Sequence, residues 1–324
     1  MKYGIIGTGA IGGYYGARLA YAGKDVHFLL HHDYKQVKEH GLYVKSYQGD
    51  FHLPHIHSYA STYDMPICDI VLVCLKTTNN HLLPSLLPPL LHPDTLVVLI
   101  QNGIGVEEDV QKLFPLLQLT AGLAFICSAK TEAGVIHHQS YGQINLGNYS
   151  CRNQALIKSL LTDFQQAGIE AQEVEYTEAR WKKAVWNMAF NGTTVVLDTQ
   201  TDQLLKNQIT YTLIQDLMLE VIHAAKACGA GNITDEFAQT MLDKTLKMPP
   251  YSPSMKLDYD FGRPMEIDYI YSRAIQMARK AGYPMKKMEV IEAALRYKEL
   301  HQQLSSSPKQ INLLKSPLKK TTIL

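Results

Sequence analysis

An α/β chain, with an N-terminal Rossmann-type doubly wound sheet followed by an all-α C-terminal domain, is the fold class that three features of the sequence predict. The first is a strand–turn–helix unit near the N-terminus, Lys2-Tyr3-Gly4-Ile5-Ile6 running into Gly7-Thr8-Gly9-Ala10-Ile11-Gly12. The second is a pair of nearly continuous apolar runs, Asp69 to Leu75 and Thr95 to Ile100, of the kind that parallel sheets bury on both faces. The third is a change of pattern near residues 173–177, where strand–helix alternation gives way to helical spacing that lasts to about Leu304. Residues 1–174 are therefore expected to form the sheet domain and 175–304 the helical domain. The aperiodic stretch 305–324, beginning Ser305-Ser306-Ser307-Pro308, reads as a tail.

The opening unit carries the spacing G-x-G-x-x-G, and each glycine has its own job. Gly7 permits the tight turn, Gly9 lets backbone approach a pyrophosphate, and Gly12 lets the helix pack close on its strand. The following helix, roughly Ile11 to Ala22 and ended by Gly23, aims its free N–H groups and positive dipole end at an anion. Because the loop lies between a strand and a helix, Gly7, Thr8, Gly9, Ala10, Ile11 and Gly12 read as a dinucleotide-binding turn. The alternative is a turn that only packs helix on sheet.

Asp25 to Leu30 is the second strand, and the residues past its end normally meet the adenosine ribose. An acid there suits the 2′-hydroxyl of NAD, and a cation suits the 2′-phosphate of NADP. Here the residues are His31, His32 and Asp33, so the position itself is ambiguous. The segment Gly41 to Tyr59 reads as a hairpin or irregular strands carrying His52, His55 and His57. No acidic or thiol partner sits with these imidazoles, so no metal site is expected. The two apolar runs deliver Lys76 and then Gln101-Asn102-Gly103, before a helix from Val106 to Phe114. Ligands of doubly wound sheets lie beyond the carboxyl ends of the strands, which points Lys76 and Asn102 at the same crevice as the glycine loop. A solvated lysine and a plain Asn-Gly turn are the competing explanations.

Ala121 to Ser128, Gly134 to His138 and Gly142 to Leu146 read as antiparallel strands, Ala155 to Ala167 as a helix and Ile169 to Val174 as an edge strand. The helical domain is expected to contain Thr177 to Phe190, Gln208 to Cys228, Thr234 to Met248 and Pro264 to Ala281. In the first of these helices Lys183, Asn187 and Asn191 stand at i, i+4 and i+8, and each step turns the face by about 40°, so they share one stripe. Trp181 and Trp186 stand among them. Either the stripe faces solvent or its polar groups have partners, since an unpaired buried one costs about 1–3 kcal/mol.

Bulk properties exclude several function classes. With 31 basic and 30 acidic residues the net charge is +1, so no overall field favours nucleic acid or an acidic membrane. Pro84, Pro88, Pro89 and Pro93 cut the leucine-rich segment well short of the roughly 20 residues a bilayer needs. A cytoplasmic location is the expectation. The cysteines Cys68, Cys74, Cys127, Cys151 and Cys228 are odd in number and scattered, and read as reduced thiols.

Taken together, the glycine loop, Lys76, Gln101-Asn102-Gly103, Trp181-x-Lys183 with Asn187 and Asn191, Ser254-Met255 and Glu266-Ile267-Asp268 resemble, in order and spacing, the ketopantoate reductase family, from Lys2 to about Lys298. The resemblance implies NADPH-dependent reduction of 2-dehydropantoate to pantoate in pantothenate biosynthesis, with NAD kept open. It implies that Lys183 is the general acid that protonates the carbonyl oxygen, and that Glu266 is its partner in holding lysine and substrate. Asn187, Asn191 and Ser254 resemble residues that bind the substrate's hydroxyl and carboxylate. Asn102 would lie between cofactor and substrate, and Lys76 would contact a cofactor phosphate. The chemistry is consistent: reducing a ketone puts negative charge on oxygen, and a positioned ammonium both stabilises it and supplies the proton.

Two positions depart from the family pattern. His31 stands where an NADP-selecting arginine is common, and Tyr271-Ser272 stand where a glycine is common, which predicts extra bulk at the pocket. The expected partner is a small 2-keto acid, with no nucleic acid and no membrane; a homodimer stays open. The rival readings are reduction of another 2-keto acid, oxidation of a 3-hydroxy acid, and a nonenzymatic NADP(H) sensor, which would need neither Lys183 nor Glu266.

Overall fold

The computed structural model describes residues 1–306. Of the expected tail, Ser305 and Ser306 still belong to a helix, Lys286–Ser306, and the rest lies outside the described residues.

Ten strands form one sheet: β1 (Lys2–Ile6), β2 (Asp25–Leu29), β3 (Leu42–Ser46), β4 (Phe51–Leu53), β5 (His57–Tyr59), β6 (Ile70–Val73), β7 (Leu96–Leu99), β8 (Gln118–Glu132), β9 (Val135–Asn148) and β10 (Ala171–Val174). The order β5-β2-β1-β6-β7-β8 is parallel throughout, the arrangement 3-2-1-4-5-6 of dinucleotide-binding sheets. The strand order reverses between β1 and β6, which opens a crevice at their carboxyl ends, where the loops bearing Gly7 and Lys76 emerge.

The sheet is mixed. β9 turns back antiparallel on β8, and the two strands expected at Gly134 to His138 and Gly142 to Leu146 are parts of it. The turn-like signal between them is an irregularity inside the strand. Tyr141 and Gly142 have φ of 63° and 125°, and the register slips nearby, so a chain break in the pattern is a bulge in the structure. β3 pairs with the first part of β9 and β10 with its last part, both parallel.

The helices are α1 (Ala10–Tyr21), α2 (Tyr34–His40), α3 (Leu83–Leu86), α4 (Val106–Leu113), α5 (Gln154–Gln166), α6 (Tyr176–Val196), α7 (Thr201–Lys206), α8 (Gln208–Ala227), α9 (Glu236–Leu246), α10 (Ser254–Asp260), α11 (Arg273–Lys280) and α12 (Lys286–Ser306). Helix α1 packs against β2, β8, β9, β3 and β4, so the sheet curls around it. Phe28 and Ile136 meet it and are fully buried, a contribution of about 1.5–3 kcal/mol each.

The chain divides into two compact units, Met1–Ala184 with Gly229–Ile233, and Val185–Cys228 with the described residues from Thr234 on. The division falls within α6. The second unit is helical. Asn207 caps α8 by accepting from the amides of Ile209 and Thr210, worth about 1 kcal/mol. Helix α10 lies between the helices expected at Thr234 to Met248 and from Pro264, and the latter begins only at Ile267, continues as a π-helical turn over Asp268–Ser272 and then becomes α11. Among the described residues no helix is long and apolar enough to cross a membrane, and all five cysteines are free thiols.

Candidate active site

The three glycines of the β1–α1 turn differ in what surrounds them. Gly7 has φ of 93°, and a Cβ on it would fall 2.7 Å from the Leu75 amide nitrogen. A Cβ on Gly12 would fall 2.4 Å from the Gly7 carbonyl oxygen. Both are required by the fold. At Gly9, in contrast, a Cβ would meet nothing within 4 Å, so the fold itself leaves the room that a larger side chain would fill. Just beyond, α1 begins with no side-chain cap and no acid in its first turn. Its first amides and its positive dipole end are therefore available to an anion. The chemistry of this cradle fits a dinucleotide pyrophosphate.

Thr8 fixes the other side of the turn. Its hydroxyl donates to the Leu29 carbonyl at 2.8 Å, which ties the glycine loop to the end of β2. His31 and His32 follow, both exposed, with their rings edge to face at 4.0 Å. Asp33 turns inward instead. It is buried and ion-paired with Lys130 of β8, whose ammonium also donates to the Thr8 carbonyl at 2.9 Å.

The loops after β6 and β7 are stitched together. Gln101 is buried, and its side-chain amide donates to the Leu75 carbonyl at 2.8 Å and to Asn80 Oδ1 at 2.7 Å. Lys76 and Asn102, both half-buried, stand next to these bonds, so the structure brings the two crevice residues onto linked loops. Arg180 of α6 clamps the second loop from below: it donates to the Gln101 carbonyl at 2.6 Å and forms an ion pair with Glu107 in the first turn of α4. Glu107 is fully buried and accepts a further bond from the Tyr176 hydroxyl at 2.9 Å. Burial, with the carboxylate beside it, pushes the Tyr176 phenol above its ordinary pKa and keeps it a donor.

Lys183 lies one turn beyond Arg180 on the same helix. It is half-buried, its ammonium donates to the Ala124 carbonyl of β8 at 2.8 Å and stands 5.5 Å over the Phe125 ring. Both contacts hold the ammonium end of the side chain against β8.

The remaining candidates belong to the second unit. Asn187 is half-buried on α6, whereas Asn191 is 1% exposed and accepts from the Met255 amide at 3.2 Å. That bond serves a first-turn amide of α10, the helix that starts at Ser254, so Asn191 and Ser254 are brought together. Glu266 is buried immediately before the π-helical turn. Within that turn, Tyr271 does not add bulk to a pocket. Its fully buried hydroxyl donates to the Met188 carbonyl at 2.7 Å and accepts from the Gly192 amide at 2.6 Å, so the ring is spent inside α6.

Arg180, Glu107 and Lys130 were not foreseen from the sequence. Arg180 stands among Glu178, Lys182 and Lys183, and Glu107 beside Glu108 and Asp109, so neither is marked out; Lys130 carried no signal either, since its partners are set by a contact across 122 positions. The histidines of the edge segment go separate ways: His52 stacks on Tyr43 and bonds the His40 carbonyl, and His57 stacks on His27. Among the described residues no group of histidine, cysteine or carboxylate side chains is arranged to hold a metal ion.

Comparison with known proteins gives a consistent result. Residues 3–150 match the family model described as Ketopantoate reductase PanE/ApbA, and residues 175–299 match the model of its C-terminal part. The chain is similar to a 2-dehydropantoate 2-reductase of Nostoc sp., 47% identical over 302 residues that cover 91% of this chain and 94% of that protein. Among solved structures it is similar to a 2-dehydropantoate 2-reductase from Geobacter metallireducens, with a TM-score of 0.89, 38% identity and coverage of 92% and 99%. A second, from Methylococcus capsulatus, has a TM-score of 0.86, 34% identity and coverage of 95% and 99%. With more than half of its length matched by the two models and its Rossmann-type sheet followed by helices, the chain is an oxidoreductase that belongs to the ketopantoate reductase family.

Proposed function

We propose that the protein reduces 2-dehydropantoate to pantoate with NADPH, the reaction for which its Nostoc and Geobacter relatives are named. The observation that carries this reading is Lys183: a half-buried ammonium, held on β8, on the helix that Arg180 fastens to the Asn102 loop. When bound, the nicotinamide supplies the hydride. The residues of the chain do the rest. The amides at the start of α1 hold the pyrophosphate, with Gly9 leaving the room. Lys76 contacts a phosphate, and Asn102 stands between cofactor and substrate. Lys183 places positive charge where the ketone oxygen becomes negative and gives up a proton to it, the two contributions that a general acid of this kind makes. Asn187, Asn191 and Ser254 hydrogen-bond the substrate's hydroxyl and carboxylate, and Glu266 keeps lysine and substrate in place.

NADPH is preferred over NADH in this reading because no free carboxylate follows β2: His31 and His32 are exposed there, and Asp33 is occupied. The test is NADPH oxidation by the purified protein against a panel of 2-keto acids that includes 2-dehydropantoate. The expected result is a kcat/KM for 2-dehydropantoate well above that of the others. A higher value for another 2-keto acid would reassign the substrate, and cofactor binding without any turnover would favour a sensor.

A further inference from the structure

We propose that Lys130 determines the choice of dinucleotide by keeping the Asp33 carboxylate from acting as a ribose acceptor; the proposal rests on the reading of the glycine loop as a dinucleotide site. Four residues mark one spot. Thr8 of the glycine loop donates to the Leu29 carbonyl at the end of β2, and Lys130 joins the Thr8 carbonyl to Asp33, four residues past that end. This is where Rossmann domains hold the acid that reads a ribose 2′-hydroxyl. The acid is present in this chain, but it is buried against a cation. Asp33 is 7% exposed, and the same carboxylate oxygen that meets the ammonium also faces the Gly134 amide at 3.4 Å. The ammonium keeps partial access to solvent, its side chain being 26% exposed.

A 2′-hydroxyl arriving here meets a carboxylate that is buried and already neutralised by the Lys130 ammonium. A 2′-phosphate finds a cation it can share, with no bare carboxylate to repel it, and the exposed His31 and His32 are two further donors nearby. The two partners therefore have opposite effects. Removing Lys130 releases the carboxylate, which then accepts from a 2′-hydroxyl and repels a 2′-phosphate. Removing the charge of Asp33 leaves the full charge of Lys130 to the phosphate. A strap that only held the β8–β9 hairpin on the glycine loop would affect both ligands alike.

The experiment is calorimetric titration of 2′,5′-ADP and 5′-AMP into the full-length protein, which needs neither substrate nor turnover. The quantity read is the ratio of the Kd for 5′-AMP to the Kd for 2′,5′-ADP. Lys130→Met should lower it about tenfold and Asp33→Asn should raise it about tenfold, the size of one charge-assisted hydrogen bond. Lys130→Arg, which retains the charge, should leave the ratio near wild type and serves if the methionine variant does not fold. Variants that weaken both probes by one common factor, or leave the ratio unmoved, would overturn the proposal while the dinucleotide site stands. Failure of the wild-type protein to bind either probe would remove the dinucleotide reading and this proposal with it.

Discussion

The hydroxyl of Tyr271 donates to the carbonyl of Met188 and accepts from the amide of Gly192, an acceptor and a donor four residues apart on the same face of α6. Burial raises the pKa of the phenol, so it remains a donor. Gly192 is the reason the ring fits: a Cβ there would fall 2.4 Å from the Tyr271 hydroxyl and 2.6 Å from Ile291.

Gly192→Ala is accordingly expected to destabilise the protein. Helix propensity alone would favour alanine by about 1 kcal/mol, but overpacking of this kind costs about 1–3 kcal/mol and two close approaches place it at the upper end. Tyr271→Phe should cost about 1–3 kcal/mol, because two backbone groups lose their partner. Urea unfolding of both variants checks this. An alanine at 192 that stabilises the protein would show that the hydroxyl does not pack against this position.

The Arg180–Glu107 pair is buried on both sides, and breaking such a pair by removing one partner costs about 3–5 kcal/mol. Arg180→Met and Glu107→Leu should each lose stability on that scale, and the double variant Arg180→Met/Glu107→Leu should lose less than the sum of the single changes. Denaturant midpoints measure the coupling. Additive losses would mean that the two side chains do not depend on each other.

Much of this architecture was legible in the sequence because its cause is local. The roles of Gly7 and Gly12 follow from a turn and a close packing that the spacing G-x-G-x-x-G encodes, and the runs ending at Leu75 and Ile100 contain β6 and β7 because both faces of those strands are buried. What stayed hidden depends on partners far along the chain. Nothing near Asp33 announces Lys130, and nothing near Tyr271 announces that its hydroxyl ends inside α6. The Gly134–Leu146 stretch misled for the opposite reason: the local signal at Tyr141 and Gly142 is real, but a long hairpin absorbs it as a bulge.

Glu266→Gln keeps the shape of a buried side chain and removes its charge. If the carboxylate serves substrate and lysine, kcat/KM should fall by about tenfold or more while the melting temperature moves little. Loss of stability in step with loss of activity would make it a structural carboxylate.

Cofactor preference should respond to His31. His31 is exposed just past the end of β2, where its imidazole can donate to a 2′-phosphate. His31→Asp should reduce the preference for NADPH over NADH by about tenfold, since it exchanges a donor for a repelling charge. The ratio of kcat/KM for the two cofactors in wild type and variant is the measurement. A ratio unmoved by this substitution would leave selection to Lys130, Asp33 and Lys76.

Proton delivery by Lys183 in the reduction of 2-dehydropantoate can be measured by single-turnover kinetics of Lys183→Ala with NADPH. The chemical step should be slower by about 100-fold or more, the usual contribution of a general acid, with NADPH affinity nearly unchanged because the ammonium donates to Ala124 and not to the glycine loop. A variant that turns over at close to the wild-type rate would show that Lys183 is not the proton donor.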